Sequence, residues 1–126
     1  MARRFEYAVS ERLGDPPHAQ EDWSPEHLVL AGLARCTLKS LVFHAERAGV
    51  GVTGSAAVDG AVTKREEDGR YALTEVECGL DVRLEPAVDG EKLEELLDLA
   101  ERDCFVGASL SVKPRYEWRV NGELVR

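Results

Sequence analysis

The sequence predicts an α+β domain in which a long central helix and a second helix pack on an antiparallel sheet. Three observations support this prediction: a long apolar helix pattern with a clear start and stop, several segments of alternating apolar and polar residues, and a shorter helix pattern further along. The elements follow in the order strand, long helix, strands, helix, strand, which favours helices layered on a sheet. A chain of 126 residues has the size of one domain, so we expect a single domain over residues 1–126.

The N-terminal part of the chain predicts a strand followed by the central helix. Residues 5–10 alternate apolar and polar side chains, as a strand with one buried face does. The helix pattern begins at Ser24, whose side chain can cap free N–H groups, with Pro25 at the first helical position. It runs to Ala48, where Gly49 supplies the stop. Its apolar residues surround most of the helix, so we expect it to be buried.

The middle of the chain predicts two strands joined by a turn. Residues 50–63 are rich in β-branched and small side chains, and residues 66–69 have the composition of a turn. Residues 71–84 alternate apolar and polar side chains, with Cys78 on the apolar face. We therefore interpret Cys78 as a core residue.

The C-terminal part predicts the second helix and a last strand. Asp89 can cap this helix, which we expect to end around Cys104. Residues 109–112 follow as a short helix or turn. The last strand carries apolar side chains at every second position: Tyr116, Trp118 and Val120.

The charge and hydropathy of the chain disfavour several classes of partner. The net charge of −8 disfavours nucleic acids and anionic membrane surfaces, because both attract positive proteins. No uninterrupted apolar run approaches the ~18 residues of a membrane-spanning segment. The first residues lack the apolar core of a secretory signal, so we expect a cytoplasmic protein that does not bind membranes.

The three cysteines do not have the pattern of a disulfide framework or a zinc site. Their number is odd, no Cys-x-x-Cys occurs, and the three histidines are scattered. We expect no metal and no cofactor. Cys104 alone is most simply a packing residue, as a small buried thiol commonly is.

Cys36 lies inside the most apolar helix pattern and has polar residues at helical spacing. Lys39 and Ser40 follow it by three and four residues, which puts both on its helix face. A cation and a hydroxyl near a sulfur stabilise the reactive thiolate. Lys39 can equally extend from a buried helix into solvent. The spacing leaves both interpretations open.

Two segments of the chain resemble the signatures of the OsmC/Ohr family. Residues 24–28 have the sequence Ser-Pro-Glu-His-Leu, and Cys36 follows eleven residues after the proline. Residues 100–110 are similar to the second signature, which commonly has the form Ala-x-x-x-Cys-Pro-x-Ser. Here Phe105 replaces the proline, and Gly107 stands where a serine is common. The resemblance extends from about Ser24 to the last strand.

The resemblance implies a fold, an assembly and a chemistry. The fold is a two-layer α+β OsmC-like fold, in an intertwined homodimer with both active sites at the subunit interface. The chemistry is that of a thiol-dependent hydroperoxide reductase that defends against oxidative stress. Cys36 would reduce an organic hydroperoxide and become a sulfenic acid, Cys104 would form a disulfide with it, and an unidentified dithiol reductant would restore both thiols.

The resemblance also implies residues that assist Cys36. The family places an arginine beside the reactive thiol, held by the glutamate that corresponds to Glu26. Arg12 is the candidate for that arginine, and Lys39 is the nearest helical alternative as a thiolate-stabilising cation. We therefore expect a catalytic set of Cys36, Cys104 and Glu26.

Two other functions are compatible with the same residues. The chain can be a non-catalytic OsmC-like stress protein or small-molecule binding protein whose cysteines are structural. It can also be a redox sensor that uses Cys36 and Cys104. The distance between those two thiols and the cation near Cys36 discriminate among these hypotheses.

Overall fold

The computed structural model describes the backbone of residues 2–9 and the whole of residues 25–126. The described elements, in chain order, are β1 (Ala2–Val9), α1 (Pro25–Arg47), β2 (Gly51–Lys64), β3 (Tyr71–Glu85), α2 (Gly90–Arg102), α3 (Phe105–Ser109), β4 (Arg115–Val120) and β5 (Glu123–Leu124). The predicted α+β class is confirmed, and so are the predicted strands and both main helices. The predicted cap at Ser24 lies outside the described residues.

In the described part of the chain, a five-stranded sheet in the order β1-β2-β3-β4-β5 forms one layer of the fold. Three of its neighbouring pairs are antiparallel, but β3 and β4 are parallel. The predicted antiparallel sheet is therefore confirmed except at this pair. Between β3 and β4 the chain passes through α2 and α3, and a helical crossover of this kind returns the chain to the starting edge and makes neighbouring strands parallel.

Helix α1 is the centre of the core, as predicted. Its buried side chains pack with those of the sheet and of α2, and they are Leu30, Ala31, Leu33, Ala34, Cys36, Thr37, Leu38, Ser40, Leu41 and Ala45. By length and hydropathy alone α1 could cross a membrane, with a mean hydropathy of 1.4 over its most apolar window. Its buried residues belong to the core of this fold, which accounts for that hydropathy. Gly49 ends the segment with a φ of 75°, the left-handed conformation typical of glycine after a helix.

Helix α2 begins and ends differently from the prediction. Asp89 occupies the N-cap position, but its side chain makes no capping hydrogen bond. Gly90, with a φ of 63°, turns the chain into the helix, and the Asp89 carbonyl accepts the N–H of Leu93 at 3.4 Å. The helix ends at Arg102, and Cys104 is the N-cap of α3. This short helix ends at Ser109, and bends follow at residues 110–112, within the range for which we predicted a short helix or turn.

A partly buried hydrogen bond connects the sheet to α2 near the second cysteine. Trp118 on β4 is fully buried, and its Nε1 donates to Glu101 Oε2 at 2.8 Å. Arg126 donates to the same carboxylate at 2.8 Å. Together these contacts fix the C-terminal end of α2, and therefore the position at which α3 begins.

Candidate active site

The fold brings together two of the three cysteines, which lie far apart in sequence. Cys36 is in the middle of α1 and is 8% exposed, and Cys104 at the start of α3 is 0% exposed. All three cysteines are free thiols. The Cys104 thiol lies close enough to Cys36 to act on the pKa of Cys36 both as a charge and through a hydrogen bond. The two thiols of the predicted pair therefore lie near each other in the core, and Cys36 is the less deeply buried of the two.

The surroundings of Cys36 favour its neutral thiol form. Burial raises the pKa of the Cys36 thiol, because the charged thiolate loses hydration in the core. The backbone N–H groups of Val106 and Phe105, in the first turn of α3, act to lower that pKa, whereas Cys104 raises it further. Within residues 25–126, no cation is among the groups that shift this pKa.

Two residues on the same helix as Cys36 were predicted to assist this thiol, but their side chains have other surroundings. Lys39 is exposed, which matches the solvent-directed interpretation of this side chain. Ser40 is buried, but its hydroxyl donates to the Ala100 carbonyl at 2.8 Å and joins α1 to α2. Neither supplies the thiolate-stabilising group that the helical spacing predicts.

Glu26 and Arg12 complete the predicted set. Glu26 lies in the first turn of α1, and the helix continues unbroken from there past Cys36. Ten residues of helix span about 15 Å, so Glu26 can act on Cys36 only through a third group. Arg12, the candidate for that group, lies outside the described residues.

The hydroxyl beside the thiol pair belongs to Thr37, which the sequence interpretation did not single out. Thr37 is fully buried, and its Oγ1 donates to the Leu33 carbonyl at 2.9 Å. The same oxygen lies 3.3 Å from Cys104 Sγ. Cys104 therefore lies near the side chains of two consecutive residues of α1, Cys36 and Thr37. The position of Thr37 directly after Cys36 is the only sequence signal for it.

Tyr116 and Gly107 form the far wall of the site. A Cβ on Gly107 would lie 2.8 Å from the Tyr116 hydroxyl oxygen and 3.5 Å from Cys104 Sγ. The tyrosine hydroxyl thus occupies the space that a side chain on Gly107 would need. Burial raises the pKa of Tyr116, and the nearby Cys104 raises it further, so this hydroxyl remains protonated. Gly107 stands where the family signature commonly has serine, which is a signal that could have identified it.

Cys78 is a core residue, as predicted. It is 1% exposed on β3 and pairs in register with Tyr116 on β4. Burial raises the pKa of the Cys78 thiol to about 12, so it stays protonated at neutral pH. Among the described residues, no three His, Cys, Asp or Glu side chains are arranged to hold a metal ion.

Comparisons with known proteins agree with this fold. The family model described as OsmC-like protein matches residues 18–119. No curated protein matches the chain.

Three solved structures share the fold. An OsmC-like protein of unknown function from Vibrio cholerae has a TM-score of 0.65 at 21% identity, and the match covers 79% of this chain and 66% of that one. An OsmC-like protein from Mycoplasma pneumoniae has a TM-score of 0.61 at 17% identity, with 94% and 96% covered. An organic hydroperoxide resistance protein from Elizabethkingia anophelis has a TM-score of 0.58 at 19% identity, with 96% of each chain covered. At these identities the structures establish the fold, and the family model covers most of the sequence. The chain therefore belongs to the OsmC-like family.

Proposed function

We propose that the chain is a thiol-dependent hydroperoxide reductase that acts on organic hydroperoxides in defence against oxidative stress. The observation that supports this proposal is the proximity of the two buried thiols of Cys36 and Cys104, of which Cys36 is the less deeply buried. The name of the E. anophelis neighbour, an organic hydroperoxide resistance protein, points to the same class of chemistry.

The proposed reaction has two chemical steps in the protein. The Cys36 thiolate attacks the terminal oxygen of the hydroperoxide, the O–O bond breaks, and the alkoxide leaves as an alcohol after taking up a proton. Cys36 is then a sulfenic acid. The Cys104 sulfur attacks the Cys36 sulfur, a disulfide forms, and the sulfenic hydroxyl leaves as water with the Cys104 proton. A dithiol reductant returns both cysteines to thiols by exchange.

The first step requires a positive charge near Cys36. Because burial raises the pKa of Cys36, the thiolate is scarce at neutral pH unless a cation stabilises it. We assign this role to Arg12, held by Glu26, with either residue supplied by the same chain or by a second copy. A homodimer would also cover large apolar side chains that are exposed in the single chain, namely Leu28, Val29, Phe43 and Phe105. The three free thiols suit a reducing compartment such as the cytoplasm.

The apolar surroundings of Cys36 favour organic substrates. Leu33 and Leu38, its neighbours along α1, are fully buried in the same core cluster. An alkyl or aryl hydroperoxide gains contacts in such an environment that hydrogen peroxide does not.

The test is peroxide consumption with a small dithiol as electron donor. We expect the wild-type protein to consume cumene hydroperoxide faster than hydrogen peroxide. Cys36→Ser should abolish turnover, and Cys104→Ser should stop it after a single oxidation. Cys78→Ala is the matched control, since it removes a buried thiol outside the pair, and it should retain turnover. Equal loss in all three variants, or no consumption by the wild type, would contradict the proposal.

The raised pKa of Cys36 favours one other candidate, a non-catalytic OsmC-like stress or small-molecule binding protein. In that case no cation activates Cys36, and its alkylation should follow the pH dependence of a buried thiol, with little reaction at pH 7. Fast alkylation of Cys36 at pH 7 would exclude this candidate and leave the reductase and a redox sensor. Steady-state turnover separates those two, because a sensor is oxidised once and does not consume excess peroxide.

A further inference from the structure

The direction of the contact between Thr37 and Cys104 follows from the hydrogen bond that Thr37 makes to Leu33. A threonine hydroxyl has one proton, and the Thr37 hydroxyl donates it to the Leu33 carbonyl at 2.9 Å. Its oxygen therefore presents lone pairs to Cys104 Sγ, 3.3 Å away. The proton available for this contact is the thiol proton of Cys104, so Cys104 donates and Thr37 accepts.

We propose that Thr37 is a positioning residue that holds Cys104 as a neutral thiol and shifts the Cys36–Cys104 couple toward its dithiol form. The proposal rests on the proposed function, because it concerns the same thiol pair. Thr37 then affects the dithiol–disulfide equilibrium of Cys36 and Cys104, and not the attack of Cys36 on peroxide.

The dithiol form gains a hydrogen bond that the disulfide form cannot make. In the disulfide, Cys104 has no proton, and the Thr37 oxygen then faces a sulfur that can only accept. Both Thr37 and Cys104 are fully buried, so water does not replace the lost donor. The hydroxyl also cannot turn to donate to a Cys104 thiolate without giving up its own hydrogen bond to the Leu33 carbonyl. The hydrogen bond between Thr37 and Cys104 can therefore form only when Cys104 is reduced and protonated.

The size of the effect follows from the strength of one neutral hydrogen bond. Such bonds contribute modestly to equilibria in proteins, and a thiol is a weak donor. We expect Thr37→Val, which keeps the shape and removes the acceptor, to shift the dithiol–disulfide equilibrium about threefold toward the disulfide, or about 14 mV for a two-electron couple.

The first experiment measures this equilibrium in mixtures of reduced and oxidised dithiothreitol, with disulfide content read by thiol labelling and mass spectrometry. Thr37→Val should favour the disulfide about threefold more than the wild type does, and Thr37→Ser, which restores the hydroxyl, should match the wild type. Thr53→Val, at an exposed threonine on β2, is the control for a general effect of the substitution. An unchanged Thr37→Val equilibrium, a shift toward the dithiol, or failure of a Cys36–Cys104 disulfide to form at any ratio would overturn the proposal.

The second experiment observes the hydrogen bond without any redox step. In a chain with Cys36→Ser and Cys78→Ala, Cys104 is the only thiol, and its S–H stretching band can be recorded by Raman spectroscopy. The band should lie below that of a free thiol, and Thr37→Val should raise it. A band at the free-thiol frequency with Thr37 intact would refute the proposal even if Thr37→Val does not fold. A lowered band in this variant, together with no peroxide turnover by the wild type, would support the Thr37 contact and reject only the proposed activity.

Discussion

Gly107→Ala is the substitution whose cost the geometry of the site predicts most directly. The added Cβ would lie 2.8 Å from the Tyr116 hydroxyl oxygen, which is closer than packed side chains tolerate. Forcing an extra carbon into a filled site costs about 1–3 kcal/mol. Against this, replacing glycine by alanine within a helix stabilises by up to about 1 kcal/mol. We therefore expect Gly107→Ala to lower the free energy of unfolding by about 1–2 kcal/mol.

Removing the clashing atom should reverse the effect. In a Tyr116→Phe background, the nearest atoms to the new Cβ are Cys104 Sγ and Leu33 Cδ1, both at 3.5 Å, which is an ordinary contact. Gly107→Ala should then be neutral or stabilising by up to about 1 kcal/mol. The coupling between the two substitutions should be about 1–3 kcal/mol, a size expected for residues in direct contact.

The assay is urea unfolding of the wild type, both single variants and the double variant in reducing buffer. The four free energies form a double-mutant cycle. If Gly107→Ala costs the same in both backgrounds, or stabilises the wild type, then the Tyr116 hydroxyl does not fill the space beside Gly107.

Three further predictions concern burial and charge. Trp118→Phe should lower the free energy of unfolding by about 1–3 kcal/mol in urea titrations, because it leaves Glu101 without its indole donor in a partly buried site; an unchanged midpoint would refute this. Arg12→Gln should raise the pH midpoint of Cys36 alkylation by iodoacetamide above the ~8.5 of an ordinary thiol, because burial then acts on the Cys36 pKa without an opposing cation; a midpoint that does not move would remove Arg12 from the site. The folded-state pKa of the Cys78 thiol is raised to about 12, so the folded protein holds this proton at a pH where the unfolded chain has released it. The contribution of this thiol to the free energy of unfolding should therefore be complete below about pH 9 and lost toward pH 12. Unfolding free energies measured across that range should fall less steeply in Cys78→Ala, and equal slopes would contradict the burial of this thiol.

Local patterns were sufficient to predict most of the fold. The start of α1 at Pro25 and its end before Gly49 depend on residues adjacent in sequence, and so does the alternation along β3. The parallel pairing of β3 with β4 was not predictable in this way. It arises because the chain crosses through α2 and α3, and the return path depends on how those helices pack.

The candidate site was predictable only in part for the same reason. Helical spacing places Lys39 and Ser40 on the face of Cys36, but the second thiol arrives from α3 and lies against Thr37, one residue after Cys36. No rule of spacing within α1 indicates which side α3 occupies. The pairing of Cys36 with Cys104 came from the resemblance to the OsmC/Ohr family, since the two residues are remote in sequence.

The most direct test of the central claim is peptide mapping by mass spectrometry after one equivalent of cumene hydroperoxide is added to the reduced protein. The proposed chemistry predicts one Cys36–Cys104 disulfide per chain, with Cys78 still a free thiol. In Cys104→Ser, the same treatment should leave Cys36 as a sulfenic acid that excess peroxide converts to sulfinic acid. If Cys36 and Cys104 both remain reduced while the peroxide persists, the chain has the OsmC-like fold without hydroperoxide reductase chemistry.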